Sequence, residues 1–145
     1  MIHVYEVLDG KGTAVQTVAP GASVLEAARL MNTHRIGAVV VMEGDSVAGI
    51  LTERDVMTKV VAEAKAPAHT TVGSVMTSPV LMCSPDSKLS EARAIMRERR
   101  VRHLPVADGS KLAGIVSIGD LNLADNATLT EAIQQMETYI SGDPM

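Results

Sequence analysis

The sequence predicts an α/β fold, specifically of the α+β kind, made of two copies of a strand-helix-strand-strand-helix unit followed by one further helix. Three observations carry that expectation. The first is internal repetition. Shifted by 65 positions, so that Asp55 falls on Asp120, residues 20–55 overlay residues 85–120 without a gap. Eleven of these 36 positions are identical, namely Pro20, Glu26, Ala27, Met31, Arg35, Val41, Gly44, Ala48, Gly49, Ile50 and Asp55, where ordinary residue usage would give about two. The second is that apolar periodicity changes in the same order within each copy, from helical spacing to short β runs. The third is a glycine-containing turn between each pair of β runs, the mark of a hairpin. Two copies are too few for a stacked solenoid, so they are expected to pack on each other as one body, with boundaries at residues 4–65, 66–125 and 126–145.

Each element follows from its residues. A short apolar strand is expected at residues 14–18 and again at 80–83. In the first copy Ser23-Val24-Leu25-Glu26 is a capping-box pattern, and Val24, Ala27, Ala28 and Met31 share one helical face. In the second, Ser87 is the expected cap, and Leu89, Ala92 and Met96 form the buried stripe. The β runs at residues 38–42 and 47–51 flank Glu43-Gly44-Asp45, and the second copy repeats them around Asp108-Gly109-Ser110. A second helix begins near Thr52 and near Ser117. Residues 63–71, with Ala64-Lys65-Ala66-Pro67-Ala68, join the copies. Thr128-Leu129-Thr130-Glu131 reads as another capping box opening a last helix, with Ile133, Met136, Tyr139 and Ile140 on a face suited to docking or dimer contact.

A chain of 145 residues can bury roughly two thirds of its unfolded surface. Phe and Trp are absent and Tyr5 and Tyr139 are the two aromatics, so the core is aliphatic, with nine Met to fill gaps. Seventeen acids against thirteen bases give a net charge of −4, which offers no global attraction to nucleic acid or an anionic membrane. Arg97-Glu98-Arg99-Arg100-Val101-Arg102 is the one basic run, and the surrounding acids weaken a nucleic-acid reading of it. The single Cys83 excludes an intramolecular disulfide and reads as a buried structural thiol. His3, His34, His69 and His103 lack metal-ligand spacing, so no metal is expected. No phosphate-binding Gly-x-x-x-x-Gly-Lys loop occurs either. The apolar runs are too short to span a membrane and the N-terminal residues lack a signal-peptide pattern, so a reduced, cytoplasmic setting is expected.

The most informative residues lie where the last strand of each copy meets its last helix: Gly49-Ile50-Leu51-Thr52-Glu53-Arg54-Asp55 and Gly114-Ile115-Val116-Ser117-Ile118-Gly119-Asp120. Strand ends beside helix N-termini favour anions, because unpaired amides and the helix dipole point there. A hydroxyl can bond a phosphate oxygen, and an Asp one turn later can accept from vicinal sugar hydroxyls. The same Ser/Thr-x-x-Asp spacing also caps a helix with no ligand at all. Repetition after the same Gly-apolar-apolar strand favours a site.

With the runs His34-Arg35-Ile36-Gly37-Ala38-Val39-Val40-Val41 and Arg100-Val101-Arg102-His103-Leu104-Pro105-Val106 beside those two segments, the sequence resembles a tandem pair of CBS (cystathionine β-synthase) domains, the Bateman module, over residues 4–125. The resemblance implies a pseudo-twofold pair with two clefts that bind adenine nucleotides: AMP, ADP, ATP, or in some members NAD(H) or S-adenosylmethionine. It implies dimerisation into a disc and a regulatory, non-enzymatic role exerted through an effector protein or the oligomer itself. Carried over by position, Asp55 and Asp120 hold ribose hydroxyls, and Thr52 and Ser117 contact ribose or phosphate. Thr13, Ala14 and Val15, with Ser78, Pro79 and Val80, offer backbone groups to the adenine edge. Ile36, Gly37 and Ala38, with Arg102, His103 and Pro105, line the wall, although alternation along a strand explains half of these without a ligand. The copies differ in charge. Arg102 and His103 stand where the first copy has Gly37 and Ala38, while Arg54 stands where the second has Gly119, so the two clefts are expected to be unequal. Arg54 is open between reaching a phosphate and pairing with a nearby acid. The rival reading is a structural dimerisation module whose pockets stay empty.

Overall fold

The computed structural model describes residues 2–141. In chain order the elements are α1 (Val4–Lys11), β1 (Thr17–Val18), α2 (Val24–His34), β2 (Ala38–Glu43), β3 (Ser46–Thr52), α3 (Glu53–Val56), α4 (Val72–Val75), α5 (Leu89–Arg99), β4 (His103–Asp108), β5 (Lys111–Ser117) and α6 (Ile118–Ser141). A π-helical turn, Met57–Val61, continues α3, and a 3-10 turn, Pro67–His69, lies in the connection between the repeats.

The two hairpins form as the alternation predicts. β2 and β3 pair antiparallel, as do β4 and β5. The two-residue turns begin at Gly44 (φ 62°) and Gly109 (φ 64°), where a side chain would be strained. Even the irregularities repeat: the register slips between Val41 and Met42 and, 65 residues on, between Val106 and Ala107. β1 adds parallel to β2. The expected first strands are shorter than their apolar runs. Residues 14–18 contribute Thr17 and Val18 alone, and residues 80–83 form no strand, only a parallel bridge from Cys83 to Val106. Pro79 and Pro85 flank that segment and supply no N–H for a ladder.

Two other expectations fail at helix ends. Ser23 caps α2 as expected, accepting the Glu26 N–H at 3.1 Å. In the second copy the N-cap is Lys88, the position matching Ser23, and it has no side-chain cap. Ser87 instead accepts the Ser84 N–H at 3.0 Å. Thr128 does not open a helix, because α6 is one helix of 24 residues from Ile118 to Ser141. No Gly or Pro interrupts it after Gly119, and Thr130 Oγ1 donates back to the Asn126 carbonyl, satisfied inside the running helix. Leu129, Ile133 and Met136 of its distal half are exposed. The side chains of Tyr139 and Ile140, expected on the same face, lie outside the described residues.

α1 is an element that periodicity did not reveal, and it crosses over. Val4, Val7 and Leu8 are buried in the core of the second repeat, with Leu89, Ala92, Met96, Leu104, Val106, Val116 and Leu121. Conversely, Val72 and Val75 of α4 complete the first repeat's core of Val24, Ala27, Met31, Val39, Val41, Leu51 and Val60. Matching backbone bonds fix both exchanges. Val4 N–H donates to Ser87 O (2.9 Å) as Val72 N–H does to Ala22 O (2.8 Å), and Tyr5 to Pro85 O as Gly73 to Pro20 O, both at 2.9 Å.

The crossed helices also explain the glycine that precedes the last three residues of β3 and of β5. A Cβ on Gly114 would meet Leu8 Cδ2 at 2.7 Å, and one on Gly49 would meet Met76 Sδ at 2.8 Å and the Thr77 carbonyl at 2.7 Å. Each glycine makes room for the side chain arriving from the other half of the chain.

Candidate functional site

Both Ser/Thr-x-x-Asp corners are capping boxes. Thr52 Oγ1 accepts the Asp55 N–H at 3.2 Å while Asp55 Oδ2 accepts the Thr52 N–H at 3.0 Å. Ser117 Oγ accepts the Asp120 N–H at 3.1 Å while Asp120 Oδ2 accepts the Ser117 N–H at 2.8 Å. Beyond that shared geometry the corners diverge.

Asp55 is enclosed, at 5% exposure. Thr77 Oγ1 donates to its carboxylate at 3.0 and 3.2 Å, and Lys59, one turn further along the same helix, pairs with Oδ1 at 2.9 Å. Position 124, which matches Lys59, is Ala, so the second corner needs its cation from elsewhere. Lys11, in the last turn of α1, provides it: Nζ lies 2.7 Å from Asp120 Oδ2 and donates to the Ile115 carbonyl at 3.0 Å. Burial alone would push the Asp120 carboxyl upward, but the Lys11 ammonium and the Ser117 donors outweigh it and hold the group below its ordinary range.

Asp120 and Ser117 open onto a cavity of about 450 Å³. It joins the two halves. The first contributes Lys11, Ala14, Val15, Gln16, His34, Arg35, Ile36, Gly37 and Ala38, and the second His103, Ile115, Val116, Ser117 and Asp120. The cavity is therefore a cross-repeat site, with the ribose-type corner of the second copy facing strand residues of the first. His103 sits at the seam. A Cβ on Gly37 would lie 2.6 Å from Glu53 Oε1 and 3.4 Å from the His103 ring, so the missing side chain lets these groups approach. Burial lowers the His103 pKa, partly offset by the Glu53 and Asp120 carboxylates. At neutral pH the imidazole is neutral, with one nitrogen to donate and one to accept.

Of the residues singled out in the sequence, Ala14, Val15, Ile36, Gly37, Ala38, His103, Ser117 and Asp120 come together in this cavity. Thr52 and Asp55 form the enclosed corner. Arg54 and Arg102 lie on a different cleft, beside α5. Pro105 is buried in β4 facing Ile115, and Gly119 is exposed in the first turn of α6. Ser78 Oγ donates to the Ala48 carbonyl at 2.9 Å. Ser78, Thr13, Pro79 and Val80 line neither the cross-repeat cavity nor the cleft beside α5. Lys11 and Gln16 are additions that the repeat alignment missed, because Lys11 precedes the aligned region and reaches Asp120 only through the crossing of α1. Cys83 is buried and its thiol is pushed up to about 11 by burial, as an inert structural thiol would be. Among the described residues no helix is long and apolar enough to cross a membrane.

Comparison with known proteins agrees with this architecture. The family model described as the CBS domain matches twice, at residues 12–62 and 72–125. The CBS domain-containing protein YhcV of Bacillus subtilis is 36% identical over 139 residues, covering 96% of this chain and 91% of that protein. The solved structure of a Burkholderia ambifaria protein with CBS domains, provisionally named for signal transduction, superposes with a TM-score of 0.83 at 41% identity, over 86% of this chain and 94% of that one. A hexameric CBS-CP12 protein from bloom-forming cyanobacteria superposes with a TM-score of 0.74 at 27% identity, over 83% of this chain and 69% of that one. Two family matches on two structural repeats, each with its own core, place this chain in the CBS domain family, as a tandem pair.

Proposed function

We propose that the chain is a regulatory sensor of adenine nucleotides, AMP, ADP, ATP or NAD(H), which acts through its own dimer and a partner protein and catalyses no reaction, within the cytoplasm. The observation that carries this reading is the cross-repeat cavity. Its volume suits a small ligand, and its polar groups converge from both repeats: the Asp120 carboxylate and Ser117 hydroxyl for sugar hydroxyls, a neutral His103 and the backbone at residues 14–16 for a base edge. A ribose hydroxyl would compete with Lys11 for Asp120 Oδ2. The displaced ammonium would then be free to meet a phosphate, so α1 would sense the ligand directly. Differential packing of the halves with and without ligand is what would make the binding regulatory.

The enclosed Asp55 corner favours a single nucleotide per chain. The rival, a structural dimerisation module with empty pockets, draws support from the internal pairing of both aspartates. Thermal unfolding with millimolar AMP, ATP or NADH separates the two. A ligand at one hundred times its dissociation constant adds about 2.7 kcal/mol, and Asp120→Ala should abolish the rise while leaving the folded signal intact. No rise with any of the three nucleotides sinks the sensor reading.

A further inference from the structure

A second cleft, of about 770 Å³, lies between the C-terminal half of α5 and the first turns of α6. Five arginines line it: Arg54, Arg93, Arg97, Arg100 and Arg102. Guanidinium groups stay charged throughout the physiological range, and their planar forks match phosphate oxygens. Among the described residues, Arg93 alone of the five has a carboxylate partner, Asp125, and it also donates to Asn122 Oδ1 at 3.0 Å. Four arginines without a carboxylate partner among the described residues thus line one concave surface of a chain whose net charge is −4.

The repeat provides an internal control. At a shift of 65 positions, Arg93, Arg97 and Arg102 become Ala28, Asn32 and Gly37. The corresponding cleft of the first repeat is lined instead by Arg35 with Glu53, Met57 and Val61. The same fold therefore closes with one arginine in place of five, and packing does not require the other four. Helix-dipole stabilisation favours cations at the C-terminal end of α5, and of the five it accounts for Arg97 and the C-cap Arg100, whereas Arg54 and Arg102 come from outside the helix and Arg93 lies earlier in it. Arg100 stands in the left-handed region at φ 54°, as its repeat counterpart Arg35 does at φ 52°, so glycine would be less strained at either helix end.

We propose that this cleft binds a small anion carrying two or more phosphates, independently of the Asp120 cavity. A single phosphate occupies two forks, and four unpaired guanidinium groups call for a chain of phosphates. An extended nucleic-acid strand fits less well, because the arginines are gathered in one concavity and acids such as Glu98 and Asp125 lie nearby in sequence.

The test is calorimetric titration of the intact protein with inorganic tripolyphosphate, repeated with a single-stranded oligonucleotide. The expected result is one tripolyphosphate per chain, with affinity that falls as salt rises and is unchanged in Asp120→Ala. Losing one charged contact should weaken binding about tenfold, so Arg97→Gln with Arg100→Gln should weaken it further. Arg100→Gly controls for folding, since it should raise the unfolding midpoint by relieving the backbone and yet weaken tripolyphosphate binding. Absence of tripolyphosphate binding, binding indifferent to the arginine substitutions, or tight binding of the oligonucleotide alone would each overturn the proposal.

Discussion

Asp55 and Asp120 sit at matching positions in the two repeats, and their surroundings give them unequal roles. Asp55→Ala would strand the Thr52 N–H, Thr77 and Lys59 at an enclosed corner. Discounted for the half-exposed Lys59, the loss should be about 2–3 kcal/mol by chemical denaturation. Asp120→Ala should cost about 1 kcal/mol or less, because Lys11 and Asp120 are both partly solvated. Equal losses would contradict this division. The two carboxylates were legible in the sequence as a repeated pair, but their inequality was not, because it rests on Lys59 in one copy and on a lysine 109 positions distant in the other. The glycines were legible only as strand punctuation. Gly49→Ala, opposed by a backbone carbonyl, should cost about 1–3 kcal/mol, and Gly114→Ala less, since the Leu8 side-chain end can turn aside. His103 carries a pH dependence. Its folded pKa lies below its ordinary 6.5, so the unfolded chain binds the proton more tightly in that window. The stability contributed by neutral His103 is thus full above about 6.5 and lost as pH falls below it. His103→Gln should flatten the decline in unfolding free energy on mild acidification, and an unchanged pH profile would refute the assignment.

Among the elements, the hairpins and the main helices were readable because each has a full period of apolar residues and its own turn or cap. α1 was not, since eight residues with three buried positions carry too little periodic signal, and its buried face answers to a core that begins at Cys83 and ends at Ala124, far along the chain. The strand expected at residues 80–83 failed for the opposite reason: its residues are apolar enough, but prolines flank it and leave a single bridge. Leu8→Ala provides an element-level check. A truncated buried Leu costs about 2–5 kcal/mol. The loss of hydrogen-exchange protection should concentrate in β4 and β5, with β2 and β3 much less affected. Protection lost equally in both hairpins would argue against separate cores.

For the molecule as a whole, the crossing of α1 and α4 means that neither repeat is complete as a contiguous stretch of sequence. A fragment of residues 77–141 lacks the Val4, Val7 and Leu8 wall of its core and should remain largely unfolded by circular dichroism. Adding a peptide of residues 1–14 should restore structure to it. A fragment that folds unaided would show that the exchanged helix is dispensable. The overall architecture, two units joined as one body, was legible from the 65-residue register alone. The exchange was not, because both exchanged helices lie outside the aligned segments.

α6 begins at Asp120's own cap and runs unbroken for 24 residues, about 36 Å at 1.5 Å per residue. Such a rod is a lever whose fulcrum is the cavity wall. A tilt of about 5° at its root would carry the far end through about 3 Å over that length, enough to regroup the exposed Leu129, Ile133 and Met136 against whatever rests upon them.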